Sequence, residues 1–286
     1  MNVWQAVVLG IVEGITEYLP VSSTGHLILT TRLLGLPSDR ATNAFAVVIQ
    51  AGAIFAVLGL YRARVAQALR GLVGKDPAGL HLFKALVVAF VPAAIVGKLL
   101  DDPIEELLFG LWPVAAAWIV GGVVILGAGR RVQPAPANGE GAPPPAPPPG
   151  IPEGAFPIEL RTALLVGLCQ TLALWPGTSR SLATILGGVL LGLPLAIAVE
   201  FSFLLGVLTL GAATAYKLTK EWQPLLHEVG PLPIAVGALA AWLSAALAVR
   251  GLVAWLQRGG LAAFGVYRIV LGLVVVALLA TGRLAN

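Results

Sequence analysis

Charge is what this chain has least of. Only 11% of its 286 residues are Asp, Glu, Lys or Arg, against about 25% in ordinary globular chains, while 58% are hydrophobic. So little polar surface excludes a soluble globular protein, because most of the chain has nothing to present to water. The single cysteine, Cys169, excludes an internal disulfide framework and a cysteine-cluster metal site. The 18 Lys and Arg against 14 Asp and Glu give +4, but no basic stripe collects them, so nucleic acid is not an expected partner. The excess suits loops facing an anionic lipid surface. No cleavable signal peptide is expected either, since the N-terminus lacks a basic n-region and a cleavage site. An integral membrane protein is left.

Long apolar runs are abundant. Six approach the roughly 20 residues that a span requires: 43–61, 84–100, 112–129, 196–216, 232–250 and 262–281. Two more, 3–36 and 158–193, are broken in the middle by Pro20-Val-Ser-Ser-Thr-Gly-His26 and by Pro176-Gly-Thr-Ser-Arg-Ser181. Their arms, of roughly 16 and about ten residues, fall below spanning length and predict re-entrant helical hairpins that turn at membrane depth. Such turns are allowed only where the backbone lines a polar cavity or is buried in protein. The two segments also read as an internal repeat. Pro20 and Pro176, Ser23 and Ser179, and Phe45 and Phe201 are each 156 residues apart, although the register slips upstream at Glu13 and Gln170. Three spans lie between the copies, and an odd number of crossings inverts the second relative to the first.

The expected architecture is therefore an all-α polytopic membrane protein with six transmembrane helices and two re-entrant hairpins in an inverted-topology repeat. Residues 1–131 form its first half, 132–157 a Pro-rich linker and 158–286 its second half. The linker reads as a semi-rigid polyproline connector, with a partner-docking segment as the other reading. Placing the basic loop 62–84 in the cytoplasm puts ten basic residues inside and six outside, in keeping with the positive-inside rule. Both termini then lie outside.

Ionisable groups at membrane depth are costly, so each is a candidate functional residue. They are Glu13, Glu17, His26, Arg180, Glu200 and Arg268. Glu13 and Glu17 lie four apart, which puts both on one helix face. Two carboxylates at that spacing call for a cation between them or a proton on one. A divalent ion fits: Mg²⁺ prefers carboxylate oxygens and keeps waters and substrate phosphates, with Ca²⁺ as the second choice. Interfacial glutamates with their heads in water are the plainer reading. Ser22, Ser23, Thr24 and Gly25 at the first break, and Thr178, Ser179, Arg180 and Ser181 at the second, supply hydroxyls and turning amides suited to an anion. The same hydroxyls could simply cap the following helix. The Arg180 guanidinium matches phosphate oxygens bidentately, or else pairs with a carboxylate such as Glu17. His26 is a candidate nucleophile, general acid or general base, or a satisfied structural donor. Glu200 and Arg268 read first as partners inside the bundle, and Cys169 as a small core residue. Trp4, Trp112, Trp222 and Trp255 near span ends read as interfacial anchors. The first half thus supplies acids and a histidine, the second a fixed cation, which points to one composite site between the tips.

The motifs Gly10-Ile-Val-Glu13-Gly-Ile-Thr-Glu17-Tyr-Leu-Pro20-Val-Ser-Ser-Thr-Gly-His26 and Gly167-Leu-Cys-Gln170-Thr-Leu-Ala-Leu-Trp-Pro176-Gly-Thr-Ser-Arg180-Ser181 resemble those of the undecaprenyl-diphosphate phosphatase family, also linked to bacitracin resistance. Phe45-Ala-Val-Val-Ile-Gln50-Ala-Gly-Ala, Glu200-Phe-Ser-Phe-Leu-Leu205 and Tyr267-Arg268 extend the likeness over nearly the whole chain except the linker. The resemblance implies hydrolysis of undecaprenyl diphosphate to the monophosphate and phosphate, recycling the lipid carrier of cell-wall synthesis in the bacterial plasma membrane. It also implies an interdigitated inverted-repeat fold and a site opening to the extracytoplasmic side. The family's functional positions fall on Glu13, Glu17, Ser23, Thr24, His26, Ser179 and Arg180. One departure is Leu182, where the family usually has glycine and where a bulkier side chain could narrow the second loop. In the expected mechanism Arg180 and the loop amides, with Ser22, Thr24, Thr178 and Ser179, hold the diphosphate. Glu13 and Glu17 hold the divalent metal or position the nucleophile, and Ser23 or His26 attacks, or His26 activates water. The polyprenyl diphosphate and membrane lipid are the expected partners, with a homodimer left open. The competing class is an anion or lipid transporter or flippase, which the same architecture would serve.

Overall fold

A computed structural model describes residues 1–37, 39–128, 151–256 and 258–284. Among them the chain forms α1 (Val3–Thr16), α2 (Ser23–Leu33), α3 (Arg40–Leu60), α4 (Arg62–Leu72), α5 (Pro77–Leu108), α6 (Leu111–Ala128), α7 (Leu160–Thr171), α8 (Arg180–Leu190), α9 (Leu195–Pro224), α10 (Pro231–Leu256) and α11 (Ala262–Ala280). Six helical stretches are long and apolar enough to cross a membrane: Arg40–Leu60, Pro77–Leu100, Leu111–Ala128, Leu195–Val229, Pro231–Leu256 and Ala262–Ala280. These are the six runs that hydropathy singles out, with ends set by local chemistry. The Asp39 carboxylate accepts the Thr42 N–H and starts α3. Asp76 accepts the Gly79 N–H, with Pro77 in the first turn, and starts α5 well before residue 84. The fourth run continues past 216, through a kink at Glu221 and a π turn over Leu225–Val229. Large apolar side chains such as Phe55, Leu99, Leu107 and Leu247 point outward, as a lipid solvent permits. The chain is an all-helical, multi-pass membrane protein.

The expected loop over 62–84 is instead largely helical. Helix α4 folds back on α5, and the two backbones meet at Gly71 and Gly79, where a Cβ would collide with the facing chain. Arg64 on α4 donates to Glu200 at 2.9 Å and sits 5.5 Å above the Phe156 ring, so Glu200 is half of an ion pair, as expected of a bundle partner. Phe156 and Ile158 are fully buried against this layer. The last residues assigned to the linker therefore belong to the core, while 132–150 lie outside the described residues. Helices from before and after the linker interleave: α1 packs on α10, α6 on α11, and α3 on both α9 and α10. Small residues allow this. Gly10 and Gly14 on α1 face Gly237, Ala241 and Ser244 on α10 with no room for a Cβ.

Helices α1, α2, α7 and α8 contain 14, 11, 12 and 11 residues. At 1.5 Å per residue the longest reaches about 21 Å, short of the roughly 30 Å hydrocarbon core. The two breaks end alike. Ser22 and Ser179 take φ of 74° and 77°, and no other non-glycine residue among those described has positive φ. Each caps its helix, its Oγ accepting the N–H three residues on, from Gly25 at 3.4 Å and from Leu182 at 3.2 Å. Both helices then run out into a positive-φ glycine, Gly35 and Gly192. Ser22 thus matches Ser179, and Ser23 stands where the second break has Arg180. The expected pairing of Ser23 with Ser179 is off by one because Pro176 lies one residue further from its cap than Pro20 does. What the two breaks share is the capping serine, whose side chain satisfies a helix-end donor that proline cannot.

A single guanidinium on α11 gathers both breaks. Arg268 is fully buried and donates to the Pro20 carbonyl at 3.2 Å, the Gly177 carbonyl at 2.9 Å and the Ala117 carbonyl of α6 at 2.9 Å. Gly121 leaves the space it fills. Around it, Trp118 Nε1 donates to Val21 at 2.9 Å and Trp175 Nε1 to Pro113 at 3.2 Å, so α6 is tied to both breaks. Gly177 itself needs to be glycine: its φ is 96° and a Cβ would lie 2.7 Å from the Val114 carbonyl oxygen. Replacing Arg268 by methionine strips three buried carbonyls of a donor, at about 1–3 kcal/mol each. Arg268→Met is expected to lower the unfolding midpoint in detergent well beyond Arg64→Met, whose ion pair is partly exposed. Equal midpoints would mean that the breaks do not depend on Arg268.

Candidate active site

The shared clamp brings the two breaks into direct contact at Glu17. This residue closes the last turn of α1 and is buried. One carboxylate oxygen accepts the Ser23 hydroxyl in a short hydrogen bond, and the other accepts Nη2 of Arg180 at 3.0 Å. Arg180 reaches across from the first turn of α8 and also donates Nη1 to the Ser202 carbonyl on α9 at 2.8 Å. Its guanidinium lies 5.4 Å over the Tyr18 ring. It has room only because residue 206 is glycine: a Cβ there would stand 2.6 Å from Nη1 and 2.7 Å from Cζ. Ser181 completes the contact, donating to the Leu19 carbonyl at 3.0 Å. Glu17, Ser23 and Arg180, expected to share one composite site, are thus in direct contact.

His26 lies elsewhere in hydrogen-bonding terms. Its Nδ1 is 2.7 Å from the Ser22 carbonyl oxygen, which can only accept, so Nδ1 carries the proton. In the neutral ring Nε2 then accepts from the Tyr267 hydroxyl at 2.7 Å. The imidazole stacks on Tyr267 with ring centroids 5.8 Å apart and meets the edge of Trp118 at 5.1 Å. Both nitrogens are therefore engaged away from Ser23, and the base beside the Ser23 hydroxyl is Glu17.

Glu13 sits one turn before Glu17, fully buried, and both of its carboxylate oxygens lack a hydrogen-bond partner. It is close enough to couple electrostatically to Glu17 and Arg180. A bare buried carboxylate is among the costliest groups a protein can hold, so this position suits a cation. Among the described residues no group of three or more His, Cys, Asp or Glu forms a protein-only metal cage. A pair of carboxylates still fits an ion such as Mg²⁺, which takes its remaining ligands from water and phosphate.

Ser22 and Ser179 cap α2 and α8, and Ser179 Oγ also lies 3.1 Å from Ser181 Oγ. Thr24 and Thr178 are half-buried at the same tips. Leu182 does not narrow the second loop; it turns into the core with Tyr18 and Phe203. Sequence reasoning assigned no role to Tyr267, Ser202 or Gly206. Each stands inside a quoted motif or directly beside one, but their spacing from the breaks carries no signal of contact. Gly206→Ala is expected to push the guanidinium off Glu17 and Ser202, which an experimental structure of the variant reads directly. An Arg180 unmoved there would mean the site has slack.

The family model for the bacitracin resistance protein BacA matches residues 6–274. Among curated relatives, an undecaprenyl-diphosphatase of Sorangium cellulosum is 45% identical over 275 residues, covering 95% of this chain and 85% of that protein. One from Methylococcus capsulatus is 45% identical, covering 95% and 93% of the two chains. One from Deinococcus deserti is 43% identical, covering 98% and 97%. The match holds every residue of the buried Glu17, Ser23 and Arg180 cluster and runs through α11 to Tyr267 and Arg268; this chain belongs to the BacA family.

Proposed function

We propose that this chain is an undecaprenyl-diphosphatase of the bacterial plasma membrane, hydrolysing undecaprenyl diphosphate to undecaprenyl phosphate and phosphate. The curated relatives carry that name over almost the whole chain. One observation carries the chemistry: the Ser23 hydroxyl donates to a carboxylate whose other oxygen is held by Arg180. That is a nucleophile with its base in place, beside a fixed cation for the phosphate.

Phosphoryl transfer depends on positioning and charge neutralisation more than on covalent machinery. In this reading the terminal phosphate binds at Arg180 and the amides and hydroxyls of the two breaks, including Ser22, Thr24, Thr178 and Ser179. Ser23 Oγ attacks its phosphorus while Glu17 takes the hydroxyl proton. The anhydride P–O bond breaks and its electron pair leaves with undecaprenyl phosphate. The proton on Glu17 passes to the departing undecaprenyl phosphate. Water then attacks the phosphoserine phosphorus, Glu17 takes the water proton and hands it to Ser23 Oγ as the Oγ–P bond breaks, and phosphate leaves. Glu13 and Glu17 would hold a divalent metal, which when bound neutralises charge on the phosphate oxygens. His26, held between Ser22 and Tyr267, orients the first break beside the bound diphosphate.

The short helix pairs α1–α2 and α7–α8 serve this reading as re-entrant hairpins of an inverted repeat. Arms below spanning length, capping serines of the same strained geometry and interleaved helices support it. The site would open to the extracytoplasmic side, with the basic α4–α5 hairpin in the cytoplasm.

Phosphate release from farnesyl or undecaprenyl diphosphate by purified protein tests the proposal. Arg180→Ala and Glu17→Ala are expected to lose about 10²–10³ in turnover, as when one charge-stabilising group is removed from a preorganised site. A chelator is expected to abolish release and added Mg²⁺ to restore it. Near-normal turnover in both variants would remove the site from the reaction, and release indifferent to chelator would remove the metal.

A further inference from the structure

An apolar groove of about 1120 Å³ runs between α1, α10 and α11. Ile15 and Leu19 from the first broken segment, Leu247 and Gly251 from α10, and Phe264 and Tyr267 from α11 line it. A groove between outward-facing helices ordinarily holds bilayer acyl chains. This one differs at its head. Its wall there includes Thr16, Leu19 and Val21, which bracket Glu17 in sequence, and the ring of Tyr267, whose hydroxyl donates to His26 Nε2 at 2.7 Å. The groove is therefore continuous with the break that carries Glu17 and Ser23. It also has unfilled width, since a Cβ added at Gly251 would meet no atom within 4 Å.

We propose that this groove seats the first isoprene units of the polyprenyl tail against Tyr267, and that Tyr267 is thereby a positioning residue. Its O–H holds His26 in the tautomer with the proton on Nδ1, and the seated tail holds the ring that carries this O–H. The idea rests on the diphosphatase reading for its ligand and adds the place of the tail and its link to the headgroup site. A substrate without a tail leaves the Tyr267 ring, 45% exposed, free to leave His26; a prenyl chain covers it. Tail length is then felt in turnover as well as in binding.

Two measurements on the full chain in detergent test this. The first is equilibrium binding of radiolabelled farnesyl phosphate to the wild type, to Gly251→Trp, which fills the groove, and to Gly59→Trp. Gly59 lies on the outer face of α3, where a Cβ also meets nothing within 4 Å. Gly251→Trp is expected to weaken binding by about tenfold or more, since a displaced isoprene unit loses the burial of several carbons; Gly59→Trp is expected to match the wild type. Equal binding by the two variants would assign the groove to bilayer lipid and overturn the proposal. The second measurement compares kcat for farnesyl and dimethylallyl diphosphate. The wild type is expected to turn over the farnesyl substrate faster, and Tyr267→Phe to bring the two kcat values together while the His26 nitrogen resonances shift. A loss of kcat by the same factor on both substrates, with those resonances unmoved, would reduce Tyr267 to a structural residue. Wild-type protein that binds farnesyl phosphate but releases no phosphate from either substrate would sink the diphosphatase reading, and the Gly251→Trp binding result would still decide the groove.

Discussion

A helix broken among apolar neighbours leaves carbonyl groups that neither water nor a helical turn can satisfy, and the rest of this structure follows from how that debt is met. Arg268 meets it with one guanidinium that donates to Pro20, Gly177 and Ala117 at once. The cation carries no carboxylate partner among these contacts, so its charge is spread over carbonyl dipoles that both terminal nitrogens engage. Two breaks nearly 160 residues apart in sequence become one object. Trp118 and Trp175 fix that object to α6.

With the breaks joined, the charges fall into a definite order. Arg180 and Glu17 neutralise one another across the junction, and the pair is anchored at both ends, by Ser23 on one side and the Ser202 carbonyl on the other. A buried ion pair of this kind is a poor source of stability; in the proposed reaction it holds a cation and a base at fixed positions beside a hydroxyl. Glu13 is the group left over. Its two oxygens have no hydrogen-bond partner, and the proposed divalent ion would bind them. The strained φ of Ser22 and Ser179 fits the same picture, since such backbone persists where the surroundings over-determine it.

The gross architecture was legible because hydropathy and length act locally. Six spans and two broken segments follow from apolar run lengths and prolines, and the ionisable groups at membrane depth include the residues that meet at Glu17. The Glu17–Arg180 pair stands among the sequence's readings only as the alternative to an anionic ligand, because a cation at membrane depth accepts either. What could not be read depends on contacts between distant segments. Nothing in the spacing of Tyr267 places it on His26, 241 residues away, and so His26 kept three open roles that its partners narrow. Helix α4 was missed because its polar, basic sequence resembles a loop until it packs on α5. Pairing the breaks by their prolines sets them off by one, because the geometry they share is that of a capping serine. Phe156 falls within the Pro-rich linker by composition, although it is buried.

The central claim is that Ser23, served by Glu17 and Arg180, is the group that takes the phosphate. The most direct measurement is a rapid acid quench of the purified protein within its first turnover of farnesyl diphosphate radiolabelled on the terminal phosphate. The account predicts an acid-stable label on the peptide carrying Ser23, absent from Ser23→Ala. An acid-labile label on His26, or full turnover by Ser23→Ala, would contradict it.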